Sequence, residues 1–178
     1  MRREWTLKTG PTVEPVTVAE LKLWLRIDGT AEDSMLGELI AAARQAAEEF
    51  TGRALMGQTW VLAVEGWTGW VRLPRPPLSS VVEVRSVADD GTVTAWDPAE
   101  YQVRNSLQQG VVYPRASTAG LVEIEFNAGY GEGAASVPPA VKNAVKAWAA
   151  DLYENRAPAG EPPAVVEKAL LPWKIFNP

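Results

Sequence analysis

The spacing of apolar residues changes period twice along this chain, and nothing else in the sequence constrains its fold as strongly. From Thr17 to Gly52 they recur every three or four positions, from Gln58 to Asn127 every second one, and from Ser136 every three or four again. Helices on both sides of a strand-rich stretch predict an α+β fold, not the strand-helix alternation of a parallel sheet. The expected architecture is a helical core (two N-terminal helices, one long C-terminal helix, one short helix) with a β-rich insertion. Within a single domain, 1–178, the helical part covers 15–56, the insertion 57–127, the long helix 136–156, and a linker, short helix and docking tail 157–178. A domain of this length hides roughly 70% of the surface its unfolded chain exposes, enough for a real core.

Local signals set the element ends. The first regular element is expected to open at Thr17, which forms a capping box with Glu20, and to end near Asp28-Gly29. Thr30 with Asp33 repeats that signal. It predicts a helix whose buried stripe is Met35, Leu36, Leu39, Ile40, Ala43, Ala47 and Phe50, closed by Gly52 in the left-handed conformation. Trp24 and Trp148 fit the core stripes of their helices. Strands are expected around Trp60–Val64, Val71–Leu73, Ser80–Val87, Thr92–Trp96, Tyr101–Val103, Val111–Tyr113 and Leu121–Phe126. Pro74–Pro77 cannot be a central strand, because proline donates no ladder hydrogen bond. Pro138 and Pro139 suit the first turn of a helix, and 157–163 reads as a linker.

Composition removes whole classes of chemistry. There is no Cys and no His, which excludes disulfide frameworks, thiolate and histidine catalysis and histidine metal ligands. With 22 acidic and 17 basic residues the net charge is -5, a poor match to tight phosphate-backbone binding. No stretch approaches the roughly 18 apolar residues of a membrane span. No signal-peptide core of about 7–15 apolar residues follows Met1–Trp5, so the chain is expected in the cytoplasm of the cell that makes it. Gly129–Gly133 lies between a strand and a helix, where phosphate loops sit. It lacks the Lys-Ser/Thr of such loops, and Glu132 would repel a phosphate. A calcium loop opening at Asp28 would need Gly and Glu where Asp33 and Leu39 stand. No catalytic, cofactor-binding or metal residue is assigned.

What remains are contact surfaces. Lys142 and Lys146 sit in the first half of their helix and Asp151 and Glu154 near its end, against the macrodipole. Such a lysine face suits an acidic partner, and Glu38, Glu48 and Glu49 of the second helix are candidates, within one subunit or between subunits. Trp67 and Trp70 flank a glycine turn and are expected to be exposed for contact. Trp173, Lys174, Ile175 and Phe176, bounded by Pro172 and Pro178, form an apolar tail that either docks on a partner or folds back over the helices.

Several pieces taken in order resemble a known family. They are Val16–Lys22 with Leu25–Asp28; Glu32-Asp33 with Leu36–Arg44; Glu49–Leu55; Gln58–Trp60; Leu73–Leu78; Phe126–Gly131; Val137–Lys142; and Tyr153–Arg156. Their order and spacing, from about residue 15 to 176, are similar to those of phage head-tail connector (adaptor, head completion) proteins, also found in phage-like gene transfer agents. The resemblance implies a dodecameric ring under the portal vertex that extends the DNA channel and joins head to tail. Its partners would be itself, the portal protein, and a stopper or tail-side protein. DNA would pass through without specific binding, and no membrane or cofactor is involved. The tail at 173–176 would then be the portal-docking segment. On this reading the protein is made in the bacterial host cytoplasm and ends in the particle neck. A different class stays open: a monomeric β-rich binding module recognising a carbohydrate or peptide through Trp67 and Trp70.

Overall fold

A computed structural model describes residues 2–106, 109–156 and 160–176, which form two compact units. The first takes residues 1–11 and 57–130, the second 12–56 and 131–178, so each is assembled from two stretches of chain.

The first unit is antiparallel throughout. Its strands are β1 (Arg2–Thr9), β2 (Gln58–Glu65), β3 (Val71–Leu73), β4 (Leu78–Val87), β5 (Val93–Ala95), β6 (Tyr101–Asn105), β7 (Gly110–Pro114) and β8 (Leu121–Ala128). Five of them form one sheet in the order β1-β2-β8-β4-β5, and three form another in the order β3-β7-β6. The alternation read between 58 and 127 is the alternation of a half-buried sheet: Leu62 and Val64 on β2, Val122, Ile124 and Phe126 on β8, and Val84 on β4 are buried. Gly110 is required by packing, since a Cβ there would lie 2.6 Å from Leu78 Cδ2. β1 corrects the expectation that regular structure begins at Thr17. Its residues are exposed along the whole strand, with Trp5 and Leu7 its large apolar side chains, so it lacks the buried alternating run that marks a strand in sequence.

The second unit holds α1 (Val18–Leu25), α2 (Asp33–Thr51), α3 (Pro139–Asn155) and α4 (Ala164–Leu170). The Thr17–Glu20 capping box forms in full. The helix stops earlier than its sequence implies, at Arg26, a left-handed residue with φ 60°. The second capping box does not form. Glu32 precedes α2 without a side-chain cap, and the Asp33 carboxylate instead accepts from Lys22 Nζ at 2.7 Å. Lys22 Nζ also donates to the Gly29 carbonyl. Leu36, Ile40, Ala43 and Ala47 are buried on α2, and Gly52 caps it at φ 72° as expected. Val141, Ala144, Val145, Trp148 and Leu152 are buried on α3, which packs against α2 and α4. Met35 and Trp24, expected in core stripes, are exposed, at 43% and 54%. The first part of the expected linker, 157–159, and the last two residues of the tail lie outside the described residues.

Candidate assembly surfaces

The turn expected to present two tryptophans presents one. Trp67 is fully buried, stacked on Trp96 with ring centroids 5.5 Å apart and planes 18° apart. Its carbonyl accepts from the Thr118 N–H at 3.0 Å. Trp70 stays 50% exposed, with the Arg72 guanidinium over its face. The expectation of a paired aromatic platform is therefore corrected: β3 begins just after Trp70, and the two rings lie in different environments.

The acidic and basic faces are also sorted differently. Lys142 Nζ reaches Glu20 at 2.7 Å, pairing α3 with α1 inside the chain. That hydrogen bond, with the Thr17 backbone N–H, lowers the Glu20 pKa to about 2. Lys146 lies over the Trp24 ring, 5.7 Å from its centroid. Glu38 and Glu49 lie toward solvent on α2, but Glu48 is 6% exposed and belongs to the interior. Its Oε1 accepts from the Leu55 N–H at 2.7 Å and its Oε2 from Arg44 Nη1 at 2.9 Å. Burial disfavours charge on Arg44, yet Glu14 and Glu48 outweigh it and hold its pKa above the usual arginine value. Glu48 is thus a structural anchor, not the contact residue expected from its position beside Glu49. Tyr153 donates to Glu32 at 2.8 Å, and this raises its pKa.

The tail lies on its own helical unit. Leu171–Trp173 form a 3₁₀ turn, and the backbone is extended at Lys174. The buried Arg53 donates to the Trp173 carbonyl at 2.5 Å, and the Ile175 N–H donates to the Thr51 carbonyl at 2.7 Å. Lys174 Nζ stands 4.3 Å from the centroid of the Phe50 ring. Of the two expectations for 173–176, the described contacts are those of a segment folded back on its own helical unit, with Phe176 71% exposed. Arg53, directly after the helix-ending Gly52, is the residue whose side chain holds it there.

Two further apolar surfaces are exposed, and at Leu23, which the helical spacing groups with Leu21, Trp24 and Ile27 on one apolar side, this corrects the sequence reading. Leu23, 82% exposed, stands beside Trp24 on α1. Trp5 and Leu7 are about half exposed on β1. Among the described residues, no group of three or more His, Cys, Asp or Glu is placed to hold a metal ion, and no helix is long and apolar enough to cross a membrane.

The fold defines a class: α+β, with antiparallel sheets in one unit and packed helices in the other. Comparison with known proteins narrows it. Residues 15–86 match the family described as phage gp6-like head-tail connector protein. A chain from the neck of an empty gene transfer agent (GTA) particle computed with C6 symmetry is 26% identical, with a TM-score of 0.85 over 98% of this chain and 96% of that one. A chain from the virion of a native gene transfer agent particle is 25% identical, with a TM-score of 0.83 over 97% and 96%. A third, from the neck of a native GTA particle computed with C12 symmetry, is 25% identical, with a TM-score of 0.80 over 99% and 97%. No curated protein matches. The chain is thus similar to phage head-tail connector proteins over residues 15–86 and to gene transfer agent neck and virion chains over nearly its whole length.

Proposed function

We propose that this chain is the head-tail connector subunit itself: a structural part that forms a ring beneath the portal, extends the DNA channel and joins head to tail. The observation that carries this reading is the likeness, over nearly the full length of both chains, to a protein of the gene transfer agent neck. Neck structures computed with sixfold and twelvefold symmetry support cyclic assembly. The net charge of -5 suits a conduit that must let DNA slide, since few cations are available to hold phosphates. Phe176, Trp70 and the carboxylates Glu38 and Glu49 are the contact residues that remain accessible for portal, tail-side or neighbouring subunits. Purified full-length chain, alone and mixed with its portal, tests this by sedimentation and electron microscopy. Closed rings that bind portal are expected. A monomer indifferent to portal contradicts the proposal.

A further inference from the structure

Two strands bound the five-stranded sheet, β1 on one side and β5 on the other, and neither has an outer partner among the described residues. β1 is eight residues long, contains no Pro and is exposed at every position. An open edge of that length can template another strand, and the charges of β1 with its bulge between Leu7 and Thr9 restrict which strand it accepts. On the face it shares with Leu62 and Val64, β1 places Trp5 and Arg3. Trp5, 51% exposed, therefore stands at the margin of the core with one side uncovered. β5 is exposed at all three positions.

The two edges carry opposite charge. Arg2, which also pairs with Glu4 at 2.6 Å, and Arg3 open β1, while Asp89 and Asp90 lie in the turn that leads into β5. Arg85, the basic residue on β4 beside β5, is already held by Glu123 and Glu83. The strands also run the right way. Four successive antiparallel pairings separate β1 from β5, so within one copy the two point in the same direction. Neighbours in a twelvefold ring differ by a twelfth of a turn, which nearly preserves strand direction. β5 of one copy would then meet β1 of the next in parallel, with Asp89 and Asp90 at the Arg2–Arg3 end.

We infer that these edges are the two halves of the subunit contact, the occupant of each being a second copy of this chain. A cyclic ring needs such a heterologous pair of patches, different from each other and mutually complementary. Main-chain ladder bonds supply affinity, Trp5 is covered, and the charges choose β5 over a second β1. This rests on the ring reading above and deepens it.

The charges can be exchanged. Arg2→Glu/Arg3→Glu gives a copy with two acidic edges, and Asp89→Lys/Asp90→Lys one with two basic edges. Each should lose rings alone while its circular dichroism stays that of the parent, and an equimolar mixture should recover them. The chain has no cysteine, so Thr6→Cys with Ala95→Cys can be joined by a short bis-maleimide. A ladder of cross-linked oligomers from the double variant, absent from either single variant, is expected. Dimers from Thr6→Cys alone would mean that β1 meets β1, which overturns the inference. Rings that ignore charge reversal and give no ladder overturn it too, while leaving the connector reading standing. A parent chain that stays monomeric, with no ladder, overturns both.

Discussion

Trp67 and Trp70 stand three residues apart and differ in everything that sets a tryptophan's contribution to folding. Trp67 fills the interior against Trp96, so Trp67→Ala should cost about 3–5 kcal/mol. Trp70→Ala should stay within about 1 kcal/mol, since half of its side chain already meets water. Urea titration of both variants checks the contrast, and equal losses would mean that the turn packs as one unit. Glu48 is a similar case. Removing it leaves the part-buried Arg44 and the buried Leu55 N–H without that acceptor, so Glu48→Ala should destabilise by about 3 kcal/mol, whereas Glu49→Ala should be close to neutral. Glu20 gives a pH signature. Its pKa is depressed from 4.5 to about 2, so its contribution is full above pH 4.5 and is lost as pH falls toward 2. Lys142→Met should move the Glu20 titration, followed by carboxyl-carbon NMR, upward toward 4.5. A midpoint that stays near 2 would show that Thr17 alone holds the carboxylate.

At the scale of elements, the C-terminal segment offers the sharpest test. Deleting 172–178 removes the Trp173 carbonyl from Arg53 and the Ile175 N–H from Thr51. A loss of at least about 2 kcal/mol and a clear fall in melting temperature are expected. An unchanged melting temperature would mean that the segment contributes nothing to the helical unit. Elements that bury a regular stripe are legible in the residue pattern alone: α2 with its Gly52 cap, the Thr17–Glu20 box, and the alternation of β2 and β8. Those whose apolar side chains face water are not. β1 buries none of its residues, and Leu23 and Trp24 give α1 the spacing of a core stripe although they point outward. The contact residues are less legible still. Glu48 and Glu49 are chemically identical neighbours, and only the chain's return at Leu55 makes one of them interior. Likewise, nothing local distinguishes Trp67 from Trp70, because the ring that covers Trp67 comes from residue 96.

At the scale of the whole molecule, the exposed apolar side chains are what the proposed ring assembly has to account for. The antiparallel unit exposes a long charged edge and the helical unit exposes Leu23, Trp24 and Phe176, all of which a ring in the particle neck would have reason to cover. Contacts of this kind are individually weak and become strong by closure, because the last subunit of a ring makes two interfaces at once. Assembly should therefore be steep in protein concentration and weaken at high salt if opposite charges direct it. The most direct test of the connector reading is to image full-length chain mixed with its purified portal. A ring stacked coaxially on the portal, with one continuous channel through both, is the expected result. Free monomer beside bare portal, at concentrations where the portal ring itself is intact, would contradict it.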